Sequence, residues 1–109
     1  MAKFYFTYGT DPAFPYQGGW TEIEAEDLHR ALSAFKTFHP NRNGSECYNF
    51  AFVYAEDAWG NVYDEKDYRD HKCRERITVA IDTEKHYGDA EVIFVIEHVS
   101  YSRTIIDDT

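Results

Sequence analysis

The chain is poor in basic residues. Eleven Lys and Arg stand against 20 Asp and Glu among its 109 residues, which gives a formal net charge of −9 at pH 7. Contacts with nucleic-acid phosphates need a basic surface, so this balance argues against direct binding to DNA or RNA. An acidic surface is compatible with two roles, which are simple solubility and attraction to a basic partner.

Cysteine and long apolar runs are also scarce. Two cysteines, Cys47 and Cys73, are too few for a disulfide framework. No apolar run reaches the length of a membrane-spanning helix, and the first residues show no signal-peptide pattern. We therefore expect a cytoplasmic protein that keeps both thiols reduced and does not associate with membranes.

The spacings that metal sites and catalytic nucleophiles use are absent. The residues worth weighing as zinc ligands are Cys47, His71, Cys73, His86 and His98. The pair His71-x-Cys73 is tighter than the usual ligand pairs of structural zinc and has no second paired half. No nucleophile motif surrounds either cysteine, although flanking basic residues would favour a thiolate at Cys73. The sequence thus predicts no metal and no cofactor.

Carboxylates occur in groups, but not in an arrangement typical of catalysis. The pairs Glu22/Glu24 and Glu56/Asp57 and the run from Asp64 to Asp70 are interleaved with polar residues. Acid–base catalysis requires one carboxyl group desolvated beside another that stays ionised, whereas interleaved carboxylates are typical of a solvated face. No catalytic residue is therefore assigned, and we expect a non-enzymatic protein.

Aromatic residues are abundant. Nine Tyr, eight Phe and two Trp compensate for a modest aliphatic content, because each ring buries far more surface than a Val. The length suits a single domain covering residues 1–109, with a real but small core.

The segment Ala25–His39 has an unambiguous helical period. Leu28, Ala31, Leu32 and Phe35 fall on one stripe, and Pro40 disfavours continuation of the helix. Because a stripe this narrow needs a sheet to pack on, the sequence predicts an α+β fold with one main amphipathic helix on a sheet.

The predicted sheet has about five strands and is mostly antiparallel. Aromatic and β-branched residues mark the strands, which are Lys3–Tyr8, Trp20–Glu24, Tyr48–Ala55, Arg76–Asp82 and Ala90–Tyr101. The last two are expected to form a hairpin, and the third is expected to be buried on the Phe50/Phe52 side. In the first strand, Phe4, Phe6 and Tyr8 are expected to share one face, and the aromatic residues on both faces suggest that neither face is fully open to water. Within the last one, Val92–Ile96 is continuously apolar, which predicts a central strand covered on both faces.

The loop Thr10–Gly19 carries two prolines, two glycines and the rings of Phe14 and Tyr16. Two interpretations stay open. Either both rings pack back over the edge of the sheet, or they form a binding surface for a partner or a small ligand.

The segment from Glu56 to Asp70 is the most acidic part of the chain. Six acids stand there against Lys66 and Arg69, a local charge of −4. The residues predicted to bind a partner are Glu56, Asp57, Trp59, Tyr63, Asp64, Glu65, Asp67, Tyr68 and Asp70. Carboxylates on an exposed surface can occupy the phosphate sites of a basic groove, and nearby rings can occupy the sites of stacked bases. A solvated flank is the alternative. A short polar helix within Asp64–Cys73 is compatible with this composition.

Several motifs in the first half of the chain form a recurring pattern. They are Phe4–Gly9, Asp11-Pro12, Phe14-Pro15-Tyr16, Glu24-Ala25-Glu26 and His39-Pro40-Asn41-Arg42. This pattern, which extends to about Tyr54, resembles that of small uncharacterised proteins of phages and mobile elements of gut Firmicutes. Inhibitors of CRISPR effectors, among them Cas9 inhibitors, share this size and acidity, and the chain is similar to them in general character.

The resemblance implies a non-enzymatic inhibitor that acts in the cytoplasm of a bacterial host cell. Its expected partner is a basic nucleic-acid-binding protein of the Cas9 type, whose positively charged channel the acidic surface would occupy. A generic α+β module that binds a protein or a small ligand through residues 14–20 is the alternative. Exposed strand edges that carry aromatic rings make a homodimer a reasonable expectation.

Overall fold

A computed structural model describes residues 1–9, 11–42, 47–65 and 72–106, with the backbone alone for 61–65. Within these ranges the chain forms five strands and two helices. In chain order they are β1 (Ala2–Thr7), β2 (Gly19–Ala25), α1 (Leu28–Phe38), β3 (Phe52–Ala55), α2 (Glu56–Glu65), β4 (Lys72–Gly88) and β5 (Glu91–Ile105). The predicted α+β class is confirmed.

The five strands form one mixed sheet in the order β3-β1-β2-β4-β5. The pairs β1–β2, β1–β3 and β4–β5 are antiparallel, as predicted, but β2 and β4 run parallel in the middle of the sheet. The prediction of a mostly antiparallel sheet therefore missed the central pairing. The reason is the long connection between β2 and β4, which contains α1, β3 and α2 and allows the chain to return in the same direction.

Helix α1 begins three residues later than the helical period predicts. Ala25 pairs with Ala2 as the last residue of β2, and the Asp27 side chain caps the helix by accepting a hydrogen bond from the Arg30 N–H at 2.9 Å. The helix ends at Phe38, with His39 as its C-terminal cap, in agreement with the predicted stop before Pro40.

The core lies between α1 and one face of the sheet. Phe6 is fully buried and stacks on Phe35 of α1 with ring centroids 4.8 Å apart. Phe4 and Tyr8 are buried with Phe6. Tyr5 and Thr7 on the other face of the strand are buried as well, so the prediction that neither face is open to water is confirmed. The other buried core residues are Ile23, Ala25, Ala31, Ala34, Ile77 and Val79.

Helix α2 covers the opposite face of the sheet. Trp59 stacks on Tyr5 with centroids 4.9 Å apart and planes 8° apart, and it also contacts the rings of Trp20 and Tyr54. The fold thus has helices on both faces instead of one main helix. The predicted polar helix within Asp64–Cys73 is placed too late, since α2 starts at Glu56; residues 66–71 lie outside the described residues.

Strand β3 is shorter than the predicted Tyr48–Ala55 and only partly inward. Phe50 precedes the strand and packs edge-on against Phe6 and Phe35, as expected of a core residue. Phe52 was also predicted to be buried, and this is wrong, because 63% of it is exposed. Phe52 lies on β3, which is an edge strand of the sheet. It pairs with Thr7, whose side chain lies on the face of the sheet opposite α1.

The predicted hairpin at the end of the chain is confirmed, and it is longer than expected. Strands β4 and β5 pair from Glu75/Ile105 to Gly88/Glu91, and the turn residues Asp89 and Ala90 both have positive φ. The prediction that Val92–Ile96 is buried on both faces is wrong. All five residues are exposed because β5 is an edge strand, and β2 pairs with β4 only as far as Thr78.

Candidate functional site

The structure describes part of the predicted acidic surface. Glu56 and Asp57 are exposed in the first turn of α2, where negative charge favours the positive end of the helix dipole. Among the described residues, no basic side chain forms an ion pair with either one. The backbone of Tyr63, Asp64 and Glu65 continues the helix. The predicted residues Asp67, Tyr68 and Asp70 lie outside the described residues.

Trp59, also predicted to meet a partner, faces the sheet. It is 8% exposed, and its flat stacking on Tyr5 fixes α2 against β1. Burial, together with the negative charges of Glu22 and Glu56, raises the pKa of the Tyr5 hydroxyl to about 12. Trp59 therefore holds the acidic turn in place and does not present its ring to solvent.

Three arginines lie against other groups of the protein. The Arg42 guanidinium lies 4.4 Å from the centroid of the Phe14 ring, and the Arg74 guanidinium lies 5.5 Å from that of Tyr16. Arg103 donates a hydrogen bond to a buried carboxylate.

The aromatic loop packs back on the core, which is the first of the two predicted arrangements. Phe14 and Tyr16 are half-buried against the core cluster, and Tyr16 meets the Tyr8 ring edge-on at 5.7 Å. The ends of the loop are joined by a hydrogen bond from the Gly18 N–H to the Gly9 carbonyl at 2.7 Å. Both glycines have positive φ, a geometry that glycine adopts without strain.

A buried polar network that the sequence analysis did not identify lies beneath this loop. Glu75 of β4 is fully buried. Its Oε1 accepts a hydrogen bond from the Thr21 hydroxyl at 2.6 Å and lies 2.5 Å from the His39 Nε2, while its Oε2 accepts one from the Arg103 Nε at 2.8 Å. The Tyr8 hydroxyl lies 2.5 Å from the Thr21 hydroxyl.

The hydrogen positions in this network follow from counting donors. Thr21 has one hydroxyl hydrogen and gives it to Glu75, so the Tyr8 hydroxyl must donate to Thr21. Burial by itself would raise the pKa of Glu75, but the hydrogen bonds from His39, Thr21 and Arg103 outweigh it and lower the pKa. Burial raises the pKa of Tyr8, which remains a donor.

This arrangement braces the fold. The network joins β2, β4 and β5 to Tyr8, the residue after β1, and to His39, the C-terminal cap of α1. The part of the chain that the structure describes contains no pocket. A signal for it exists in the sequence. Glu75 precedes Ile77 and Val79 in the same alternating phase, so a carboxylate occupies a position that otherwise faces the core.

The lowered pKa of Glu75 predicts acid sensitivity. The ionised carboxylate stabilises the fold above its ordinary pKa of 4.5, and that stabilisation is lost as the pH falls through the lower pKa of the folded state. We expect the difference in unfolding free energy between the wild type and Glu75→Gln to shrink below pH 4.5 in urea titrations. Surface carboxylates titrate in both proteins, so curves that stay parallel would contradict this assignment.

The residues weighed as zinc ligands are dispersed. Cys47 is exposed, and the half-buried Cys73 donates from Sγ to the Glu75 carbonyl at 3.4 Å. His86 and His98 both approach Glu84, at 2.9 and 3.1 Å; the His86 contact lacks hydrogen-bond geometry. The described residues include no group of three or more potential metal ligands, and His71 is not among them.

The hairpin of β4 and β5 carries a contiguous set of exposed apolar side chains. The exposed side chains near its end are Tyr87, Val92, Ile93, Phe94, Val95, Ile96 and Val99. Of the two described helices, neither has the length and apolarity needed to cross a bilayer. Contiguous apolar surface of this kind commonly marks a site of protein contact. Comparison of the chain with protein-family models, curated proteins and solved structures finds no match.

Proposed function

We propose that this protein is a non-enzymatic inhibitor that binds a nucleic-acid effector of the Cas9 type and competes for its basic channel. The observation that carries the proposal is the position of Glu56 and Asp57. Both carboxylates project from the first turn of a helix that the buried Trp59 fixes to the sheet. A rigid display of this kind lowers the entropy lost when a complementary basic groove binds it.

The overall charge supports the same mechanism. A chain with net charge −9 is attracted to a cationic channel over a long range, and this attraction mainly increases the association rate. Binding to such a channel uses no catalytic group. In the proposal, the remaining acids of the segment, Asp64, Glu65, Asp67 and Asp70, extend the contact begun by Glu56 and Asp57.

The main alternative is an interaction module that uses the aromatic loop. The inward packing of Phe14 and Tyr16 disfavours it, because both rings contact the core cluster. The pair of substitutions Phe14→Ala and Tyr16→Ala separates the two ideas. Loss of binding in a variant that stays folded would favour the loop over the acidic helix.

Salt and charge variants test the acidic surface directly. Binding of the purified protein to guide-loaded Cas9 is expected to weaken at least about tenfold between low and high salt, because counterions screen exposed charges. Neutralising the helix with Glu56→Gln, Asp57→Asn, Asp64→Asn and Glu65→Gln should weaken binding by a further factor of about ten or more. The measurements are biolayer interferometry and a plasmid-interference assay.

The matched control removes the same kind of charge far from α2. Asp89→Asn and Glu91→Gln neutralise two exposed carboxylates at the hairpin turn and change the net charge as Glu56→Gln with Asp57→Asn does. If this control weakens binding as much as the double variant Glu56→Gln with Asp57→Asn does, binding depends on net charge and not on the position of the acidic turn. No complex with Cas9, or a complex indifferent to salt, would reject the proposal.

A further inference from the structure

Beyond their pairing with the rest of the sheet, β4 and β5 continue as a two-stranded arm. The base of the arm still contacts the core through Ile81 and α1 through the ion pair between Arg30 and Glu97. Pairing between β2 and β4 stops at Thr78, whereas β4 and β5 remain paired to their turn. We define the arm as residues 81–99. Each of its strands has about eight residues and so extends about 27 Å. The described chain is correspondingly elongated, with extents of 59 × 32 × 26 Å.

Both faces of the arm are apolar near its end. On one face, His86 stacks on Phe94 with centroids 4.3 Å apart, and Ile93 lies over Gly88, where an added Cβ would come within 2.3 Å of the Ile93 Cδ1. On the other face, Tyr87 pairs with Val92; they are 65% and 47% exposed. An isolated hairpin of two strands is at best marginally stable in water, so this arm is suited to being covered.

The outer edge of the arm lacks the usual protection against pairing. Edge strands are commonly interrupted by charged residues or proline. Val92–Ile96 has neither, and all five of its residues are exposed, on the strand that ends the sheet. The main irregularity is a bulge between His86 and Tyr87 in the pairing with β4. The free backbone groups of β5 are therefore open to another strand.

We propose that the arm is a dimerisation element and that a second copy of this chain pairs with it, β5 against β5, around a two-fold axis near Val92–Ile96. An antiparallel pair of identical edge strands is the isologous contact that two-fold symmetry produces, and it makes one sheet across two chains. This inference concerns assembly and does not depend on the effector proposed above.

The exposed apolar area and the absence of charge on Val92–Ile96 fit a second copy as the occupant. Two chains of net charge −9 repel each other, so they can approach most easily along an exposed strand that carries no charge, as Val92–Ile96 does. The seven exposed apolar side chains of the hairpin are each 39–67% exposed. Six of these side chains lie on β5, and at on the order of 100 Å² each they offer on the order of 600 Å². This is less than the about 800 Å² per partner of a standard stable interface, so the expected dimer depends on concentration.

Sedimentation equilibrium and light scattering over a concentration series test the assembly. We expect a dimer whose dissociation constant falls as salt is added, because salt screens the repulsion between two acidic chains. This dependence is opposite in sign to the one expected for effector binding. A protein that is monomeric at every concentration and salt level overturns the proposal.

Two matched variants locate the interface. Val95→Glu places like charges near the two-fold axis and should weaken the dimer at least about tenfold. Phe52→Glu makes the same charge change at an exposed residue of β3, the opposite edge of the sheet, and should leave the dimer intact. The assignment is overturned if the two variants weaken the dimer equally, or if Val95→Glu does not weaken it. It is also overturned if the arm forms a complex only with a different protein.

A spin-label measurement keeps the test independent of variant stability. Labels on Val95→Cys, in a background of Cys47→Ser and Cys73→Ser, should give a short distance between the two copies. Labels on Phe52→Cys should give a much longer one. The reverse order of distances would place the interface at β3 and refute the arm.

Discussion

Glu75→Gln is expected to destabilise the protein by about 3 kcal/mol, since breaking a buried charge network leaves its partners uncompensated. The substitution preserves shape, so the loss is electrostatic. Oε1 faces Thr21 and His39, and Oε2 faces Arg103. If the Gln NH₂ group faces Arg103, two donors oppose each other. If it faces Thr21 and His39 instead, one of these groups must change from donor to acceptor. Chemical denaturation measured at pH 7 gives the difference in unfolding free energy.

Glu22→Gln is the matched control for this prediction. Glu22 is on β2 and pairs with Arg76 at 3.0 Å; the Glu22 side chain is 19% exposed and that of Arg76 is 61% exposed, so water reaches the pair. Solvent screens such a pair, so its loss should cost less than about 1 kcal/mol. If both variants lose the same stability, Glu75 is not the brace inferred from its contacts. A loss of about 3 kcal/mol is a large part of the 5–15 kcal/mol that stabilises typical domains.

Trp59→Ala is expected to cost about 3 kcal/mol and to detach α2 from the sheet. The substitution removes the ring that stacks on Tyr5 and contacts Trp20 and Tyr54, and it leaves a cavity that the surrounding rings cannot fill. Because the acidic turn depends on this helix, effector binding should fall together with stability. Thermal unfolding and near-UV circular dichroism measure the structural loss.

The control for Trp59 is Phe52→Ala. Phe52 is an exposed aromatic residue on the neighbouring strand β3, and its truncation should change stability by less than about 1 kcal/mol. Trp59→Phe, which keeps a flat ring, should retain most of the stability and the binding. Weak binding in a Trp59→Ala protein of unchanged stability would instead mean that the Trp59 ring contacts the partner.

The two variants bear on different questions. Glu75 lies under α1 and the aromatic loop, whereas Trp59 lies on the opposite face of the sheet. Their effects on stability should therefore add, because the contacts named above for the two sites involve different residues. Only the Trp59 variants should change the acidic surface, which separates a general loss of folding from a loss of the proposed binding site.

Local patterns predicted much of the fold correctly. The alternation of Phe4 and Phe6, and that of Ile77 and Val79, identified strands and the residues that share a face, because the side-chain period of a strand is two. The end of α1 followed from Pro40, whose ring restricts the residue before it. These features depend on backbone geometry within a few residues, and composition alone established the acidity.

Features that depend on distant neighbours were missed or misplaced. The apolar run Val92–Ile96 was interpreted as a buried central strand, since such runs usually are. Its exposure depends on where the sheet ends, which no local pattern states. The capping role of Asp27 was visible in its residue type but was obscured by placing the helix start at Ala25.

The sequence by itself determined the acidic charge, the aromatic core, the α+β class and the hairpin, because each depends on composition or on short-range periodicity. Only the tertiary structure decided the parallel pairing of β2 with β4, the burial of Glu75 among Thr21, His39 and Arg103, and the exposure of the arm. These arise from contacts between residues far apart in the chain, whose energies depend on what the neighbouring element supplies.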